Sequence, residues 1–157
     1  RRWAGSRLSL DYTFQYAPLA RFYAGNPDDP EAWREVIARA QAHPRQRERM
    51  VAILQAQLDA RQAPEQARAA AAKLADPRTV AIVTGQQAGL FGGPLYTLMK
   101  GLTAAKLAAE IEAQHGVPCV TVFWNHAEDH DWEEVASAYV LDEDLQPRRL
   151  TVAGVEG

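Results

Sequence analysis

Titratable side chains are concentrated in one short segment, residues 126–131, with the sequence HAEDHD. It contains two imidazoles and three carboxylates. A carboxylate beside a histidine fixes the tautomer of the imidazole and raises its pKa, and a free carboxylate can pair with an ammonium group of a substrate. A run of charges is more often solvated surface, but this one directly follows an apolar segment that is typical of a buried strand. We therefore predict that Asp129, His130 and Asp131 are catalytic, through proton transfer or charge recognition.

The same segment also contains side chains that can ligate a metal, namely His126, Glu128 and His130. A metal-dependent hydrolase built on these three residues is an alternative function. Neither a His-Glu-x-x-His pattern nor a cysteine pair completes such a site, however, and we predict no metal site. The His-x-Glu spacing of residues 126–128 resembles that of zinc deaminases, but the Pro-Cys-x-x-Cys that those enzymes need is absent from the sequence.

A glycine-rich segment, residues 85–94, is the second stretch whose composition suits ligand binding. Glycine permits positive φ and close approach of the backbone, so main-chain N–H groups at the start of a helix can face an anion here. The segment has neither the Gly-Lys-Ser/Thr ending of a P-loop nor the Gly-x-Gly-x-x-Gly spacing of a dinucleotide site, and an ordinary tight turn is the alternative. The residues that we predict to contact a substrate or nucleotide, in this segment and near it, are Gly85, Gln86, Gln87, Gly89, Gly92, Gly93, Tyr96, Trp124 and Asn125.

Three side chains near the glycine-rich segment each have two interpretations. Tyr96 either donates a hydrogen bond to a ligand or packs on the sheet, and Trp124 either stacks on a ring or belongs to the core. Lys100, one helical turn after Tyr96, either reaches an anion or extends along the surface.

Both segments follow predicted strands, and this brings them together. The β-branched run at residues 79–84 and the apolar run at 117–124 have the length and composition of buried strands. A helix is predicted between them, with Pro94 in its first turn and His115-Gly116 at its end. Strand, helix and strand form a βαβ unit, so the loops that leave both strands lie at one edge of the sheet, where α/β proteins bind ligands.

The predicted helix should be mostly buried, because its apolar residues cover more than one side. These residues are Leu95, Leu98, Leu102, Ala105, Leu107, Ala109 and Ile111. The second strand is almost continuously apolar, so we expect cover on both of its faces.

The first half of the chain predicts a small helical region. Aromatic residues at alternate positions within residues 12–16 predict an extended N-terminal segment. Three helices, near residues 30–43, 45–61 and 64–76, are expected to pack antiparallel with short loops. The arginines at the start of the second helix could bind phosphate, but their interleaving with Glu48 favours a solvated face.

The C-terminal part of the chain predicts a β-hairpin. Apolar runs at residues 138–141 and 149–152 flank a polar loop. We divide the chain into residues 1–77, an N-terminal segment with the helical region, and residues 78–157, the first part of a substrate-binding core.

Composition excludes several classes of partner. A net charge of −3 argues against nucleic acid or an anionic membrane, and no apolar run is long enough to span a membrane. The single cysteine, Cys119, lies in a predicted strand, so we expect packing rather than nucleophilic chemistry, no disulfide, and a cytoplasmic protein. The chain begins at Arg1 without a methionine, and we expect it to be a fragment of a longer polypeptide.

Two motifs at compatible spacing resemble the bacillithiol-biosynthesis cysteine-adding enzymes. The first is VTGQQAGLFGGPLYT at residues 83–97, followed by Lys100, and the second is VFW at 122–124 with EDHD at 128–131. The glycine-glutamine signature is uncommon, and the region around residues 25–33 is similar as well. The resemblance therefore covers most of the chain.

The resemblance implies a Rossmann-like core, akin to class I aminoacyl-tRNA synthetases, in a longer protein with connecting segments and a coiled coil. It implies a cysteine ligase that joins the cysteine carboxyl to the amine of glucosaminyl malate, after carboxyl activation by ATP as in those synthetases, with Mg²⁺ accompanying the nucleotide. The glycine-rich segment would stand where the synthetases carry their first nucleotide signature, without its paired histidines, and residues 129–131 would line the substrate pocket.

The partners implied in this way are the small-molecule substrates and the remainder of the same polypeptide, and the oligomeric state is open between a monomer and a homodimer. The fragment alone is expected to be inactive. A non-catalytic module that binds a nucleotide or sugar acid is a further alternative.

Overall fold

The computed structural model describes residues 6–128 and 132–152. The chain divides into two compact units, Arg1–Gln46 and Arg47–Gly157. The predicted division into domains after residue 77 stays a prediction, and the boundary between the compact units falls at a different place.

The first unit consists of α1 (Arg7–Phe14), a 3₁₀ turn (Ala17–Phe22) and α2 (Pro30–Ala42). The prediction of an extended N-terminal segment is therefore wrong. A helix forms because Ser6 caps it, its Oγ accepting a hydrogen bond from the N–H of Ser9 at 3.2 Å.

The aromatic residues that suggested a strand form a cluster of rings instead. The ring centroids of Tyr12 and Tyr23 are 4.9 Å apart, and each lies 5.9 Å from that of Tyr16. The Tyr16 hydroxyl also donates a 2.6 Å hydrogen bond to the carbonyl of Gly25. Tyr12 lies in α1 whereas Tyr16 follows the end of the helix, so the ring contact depends on the turn of the chain after Phe14.

The start of α2 was predicted correctly. Asp29 Oδ1 accepts a hydrogen bond from the N–H of Glu31 at 2.9 Å, and Pro30 is the first helical residue. Ile37 is buried on the predicted apolar face, and the indole N–H of Trp33 donates to the carbonyl of Pro27 at 2.8 Å.

The second unit begins with an antiparallel pair of helices, α3 (Arg47–Ala60) and α4 (Glu65–Lys73). The amide of Gln55 donates to the carbonyl of Arg68 at 3.0 Å, and the Arg68 guanidinium lies 3.2 Å from a carboxylate oxygen of Asp59. The alanine-rich α4 packs closely against α3, as its small side chains predicted.

Arg47 is not part of a solvated face, contrary to the prediction for this helix. Its guanidinium donates to the carbonyls of Leu74 at 2.9 Å, Pro77 at 3.1 Å and Thr79 at 3.1 Å. The planar fork of arginine can reach several carbonyls at once, which charge spacing along the helix could not reveal. Arg47 therefore holds the turn between α4 and the first strand.

The predicted βαβ unit is confirmed. It consists of β1 (Val80–Gln87), α5 (Leu95–His115) and β2 (Cys119–His126), and the two strands are parallel. The helix ends at Gly116, whose φ of 64° is in the left-handed region that a C-terminal cap requires. Together with the hairpin described below, this gives the mixed α/β, Rossmann-like architecture that the sequence predicted.

The burial of α5 differs from the prediction. Its buried residues are Ala104, Ala108 and Ile111, whereas Leu98 is 59% exposed and Leu102 is 56% exposed. Small residues allow the helix backbone to approach the strands closely, so these residues face the sheet and the leucines point away.

In the described ranges no helix combines the length and apolar character needed to cross a membrane.

The strand β2 is covered only over its first half. Cys119 and Val120 are buried, but Phe123 is 40% exposed and Trp124 is 63% exposed. The expectation of cover on both faces therefore fails toward the carboxyl end, where the Phe123 ring lies near Gly101 of α5 but both aromatic rings stay accessible.

A helical turn, Trp132–Val135, leads into the predicted hairpin of β3 (Ser137–Leu141) and β4 (Pro147–Thr151). Within the described residues this antiparallel pair is a sheet of its own, and β3 contacts the turn that follows β1.

In the loop between β3 and β4, Asp142 accepts hydrogen bonds from the N–H of Gln146 at 2.8 Å and from Arg148 Nε at 2.7 Å. The hydrogen bond from Arg148 is the main cause that lowers the pKa of the Asp142 carboxyl.

We predict that Arg47→Met lowers the free energy of unfolding of this chain by about 2 kcal/mol, because three carbonyls lose a charged donor. Arg61→Met is the matched control, since Arg61 is exposed just after α3 and, among the described residues, its guanidinium donates only to the carbonyl of Gln57. Urea unfolding followed by circular dichroism measures both variants. Equal losses for the two substitutions would contradict the role given to Arg47.

Candidate functional site

The two loops that carry the predicted site leave the sheet at the same edge. Strands β1 and β2 are parallel and in register, with Gly85 beside Trp124, Gln86 beside Asn125 and Gln87 beside His126. The strands therefore end together, and the glycine-rich segment and the acidic segment both begin there. This juxtaposition was predicted from the order of the elements and is confirmed by the register.

The predicted catalytic residues, Asp129, His130 and Asp131, lie outside the described residues. On the strand side of them, Asn125, His126 and Glu128 are exposed. The carbonyl of Asn125 accepts a hydrogen bond from the N–H of Ala127 at 3.0 Å, so the chain begins to turn as soon as β2 ends. The catalytic roles stay predictions.

The glycine-rich segment folds into a turn that satisfies part of its own backbone. The N–H of Gly92 donates to the carbonyl of Gly89, and the N–H of Gly93 donates to that of Leu90, each at 3.0 Å. Gly92 and Gly93 have φ values of 87° and 80°, which favour glycine. A ligand that used these two N–H groups would have to displace bonds within the turn, and contact through the backbone of Gly89, Gly92 and Gly93 stays a prediction.

Gly85 has a structural reason to be glycine. A Cβ atom at this position would lie 2.6 Å from the carbonyl oxygen of Trp124, which is closer than side chains tolerate. The missing side chain thus allows the ends of β1 and β2 to approach each other. A ligand is not needed to explain this residue.

Three predicted or considered residues come together at the end of β1. The Lys100 ammonium donates to Gln86 Oε1 at 2.8 Å and to the carbonyl of Gly85 at 3.3 Å. The Gln86 amide donates to the hydroxyl of Tyr96 at 3.3 Å, and the ammonium lies 5.2 Å from the centroid of the Tyr96 ring. Sequence reasoning left Lys100 between an anion contact and a surface position. Its spacing of four residues from Tyr96 was the signal that both face the same strand end.

Trp124 and Tyr96 remain accessible at this edge. Trp124 is 63% exposed and Tyr96 is 46% exposed. Trp124 is therefore not part of the core formed by the described residues, and its stacking on a ligand stays a prediction. Gln87 is half-buried at the end of β1, opposite His126.

The remaining candidate chemistries have less support. Across the described ranges there is no group of three or more histidine, cysteine, aspartate or glutamate side chains that could hold a metal ion; His130, one of the three proposed ligands, falls outside these ranges. Cys119 is buried in β2, and burial is the main cause that raises the pKa of its thiol. A neutral buried thiol has a packing role.

An open apolar cleft lies beside the site, between α5 and the end of β2. It is lined by residues that include Phe91, Leu95, Leu98, Leu102 and Phe123. Most of these side chains are more than half exposed, so the cleft is a continuation of the outward face of α5.

Comparisons with known proteins agree with the motif resemblance. The family model described as "Bacillithiol biosynthesis BshC, N-terminal Rossmann-like domain" matches residues 2–156. A relative from Salinibacter ruber is 41% identical over 134 residues, covering 85% of this chain and 24% of its own length. A relative from Solibacter usitatus is 39% identical over 145 residues, covering 92% of this chain and 26% of its own.

A third relative, from Geobacillus kaustophilus, is 39% identical over 140 residues, with 89% of this chain and 26% of its own length covered. Each of the three is named "Putative cysteine ligase BshC". The chain spans about a quarter of the length of these curated relatives. On the match of its residues 2–156, the chain belongs to the BshC family of bacillithiol biosynthesis and carries sequence of that family's N-terminal Rossmann-like domain.

Proposed function

We propose that the full-length protein is a cysteine ligase that forms the amide bond between the carboxyl of cysteine and the amine of glucosaminyl malate, giving bacillithiol. Family membership supports the pathway, and the names of the relatives support the reaction class. The observation that carries the proposal is the parallel register of β1 and β2, because it brings two chemically different loops to one edge.

The reaction makes specific demands on that edge. A carboxylate does not react directly with an amine, because its oxygen is a poor leaving group, so we propose ATP as the co-substrate that activates the cysteine carboxyl. Mg²⁺ would accompany the nucleotide phosphates and needs no separate protein site. The attacking amine must lose a proton, and in the proposal His130 accepts it.

The neighbouring carboxylates have a binding role in this proposal. Asp129 and Asp131 would orient an ammonium or hydroxyl groups of the substrates. Trp124 and Asn125 stand at the end of β2 directly before this segment, and both are exposed. In the proposal they contact a substrate bound at the same edge.

The remainder of the same polypeptide is the proposed partner of the outward face of α5. Leu95, Leu98 and Leu102 lie on that face and are 74%, 59% and 56% exposed. A leucine stripe of this kind is normally covered. The chain spans only about a quarter of its relatives, so the full-length protein has ample further chain to cover it.

The full-length protein, given cysteine, glucosaminyl malate and ATP, is expected to make bacillithiol, with each of the three required. Mass spectrometry of the product, with AMP and ADP measured separately, checks the reaction and identifies the nucleotide chemistry. Binding of the substrates without product under any nucleotide would instead favour a binding module without catalysis.

In the full-length protein, His130→Ala is expected to lower kcat by about 100- to 10,000-fold while the protein stays folded, since general base catalysis contributes about that much. His43→Ala is the control, because His43 is an exposed residue of the first compact unit. Thermal unfolding of both variants tests their folding. Normal turnover by the His130 variant would contradict its role as the proton acceptor. A separate measurement, elemental analysis of the purified protein, would support the metal-dependent hydrolase if it found stoichiometric zinc, manganese or iron.

Leu98→Asp should lower the midpoint of thermal unfolding of the full-length protein by roughly 5 °C or more, but barely change that of the 157-residue chain. The reason is that the proposed cover exists only in the longer protein. Thr103→Asp is the matched control in both lengths, because Thr103 is exposed on the same helix but lies about 140° around its axis from Leu98. Equal shifts in the two lengths would show that no further chain covers this face.

A further inference from the structure

The cluster of Gln86, Tyr96 and Lys100 holds a positive charge with neutral partners. The two acceptors of the Lys100 ammonium are the Gln86 side-chain oxygen at 2.8 Å and the Gly85 carbonyl at 3.3 Å. Among the described side chains, which do not include those of residues 129–131, 133 and 134, no carboxylate oxygen lies within 4.0 Å of this ammonium. Its charge is therefore fixed in position without being neutralised by the described residues.

The other two lysines of the chain show the more usual arrangement. Lys73 lies 3.2 Å from a carboxylate oxygen of Glu112, and Lys106 lies 3.7 Å from one of Glu110. These are exposed ion pairs of the kind that contribute little to stability. Lys100 differs because its side-chain partner is the neutral amide of Gln86 and not a carboxylate.

The hydrogen-bonding capacity of the cluster is not exhausted. An ammonium has three N–H donors, and two of those of Lys100 are used. The Tyr96 hydroxyl accepts from Gln86 Nε2, so its own hydrogen remains available to donate. One glutamine amide thus orients two donors, one charged and one neutral, and both belong to exposed residues.

The neighbouring backbone offers an anion fewer free N–H donors. The N–H groups of Gly92 and Gly93 are already bonded to carbonyls of their own turn. An anion that reaches the end of β1 therefore meets side-chain donors on α5 before any free donor of these two glycines.

We propose that Lys100 and Tyr96, oriented by Gln86, bind an anionic oxygen of a substrate at the carboxyl end of β1. The inference rests on the proposed function for its candidate ligands, which carry either a carboxylate or a phosphate. Lys100 supplies the charge, Tyr96 supplies a second hydrogen bond, and Gln86 is a positioning residue that contacts both.

The test measures binding, without turnover, in the full-length protein. Isothermal titration calorimetry with L-malate and, separately, with ADP distinguishes a carboxylate from a phosphate as the source of the anion. Lys100→Met is expected to weaken one of the two by about 10- to 100-fold, the range for a lost charged hydrogen bond. Lys106→Met is the matched control on the same helix and should bind both as wild type does.

Two further variants separate charge from geometry. Gln86→Glu keeps an acceptor for Lys100 but adds a negative charge, so it should weaken the same ligand about as strongly as Lys100→Met. Tyr96→Phe keeps the ring and removes the hydroxyl, and a smaller loss of about 3- to 10-fold is expected.

A purely structural cluster, joining α5 to β1, gives a different result. Lys100→Met would then lower the midpoint of thermal unfolding and leave both dissociation constants unchanged, which would overturn the proposal. Failure of wild-type protein to bind either probe would overturn it too. If ligand binding depends on Lys100 but no bacillithiol is formed, the anion site stands and the ligase function fails; if bacillithiol is formed normally and neither constant changes, the reverse holds.

Discussion

The parallel pairing of β1 with β2 is the constraint on which the rest of the second unit depends. Parallel neighbours cannot be joined by a tight turn, so the chain must cross over, and α5 makes this connection. The same pairing brings the ends of both strands to one edge. It also requires Gly85, because a Cβ atom there would lie 2.6 Å from the Trp124 carbonyl oxygen. A single backbone arrangement therefore explains the crossover helix, one glycine and the location of the candidate site.

The helix α5 illustrates how a correct prediction of an element can include a wrong prediction of its packing. Its bounds follow from Pro94 and from the left-handed Gly116. Both of its faces are apolar, however, and apolar character alone does not tell which one meets the sheet. Close packing on two strands favours the alanine face, with Ala104 and Ala108 buried, and this decides the outcome.

Local signals in the sequence were sufficient to predict an element wherever its structure depends on residues close to it along the chain. The cap at Asp29 and the hairpin of β3 and β4 are examples, since each is determined within a few residues. The aromatic residues 12–16 were assigned wrongly because an alternation of only three residues does not exclude a helix, and in the structure Tyr12 and Phe14 lie in α1 while Tyr16 follows it. The ring cluster with Tyr23 involves residues outside that window.

Contacts between distant parts of the chain were not predictable in the same way. Arg47 bonds to carbonyls 27 to 32 residues away, and nothing in its local charge pattern indicates this. Lys100 bonds to Gln86 and Gly85, 14 and 15 residues away. Its spacing from Tyr96 was visible in the sequence, but the contact of both side chains with Gln86 depends on how α5 packs against β1.

The edge where the two strands end carries charge of both signs, and this matters more than the net charge of the chain. On the β1 side, Lys100 is held by neutral groups; on the β2 side, the chain continues from Asn125 into a segment with three carboxylates. Lys100 belongs to α5 but its ammonium is bonded to the end of β1, and the exposed Glu128 follows β2, the adjacent strand. In the function that we propose, a small molecule with both an ammonium and a carboxylate would have a partner of each sign, Glu128 and Lys100, among the described residues. The charges of the described residues therefore agree with the substrates that we propose, and this argument does not depend on which loop residue transfers the proton.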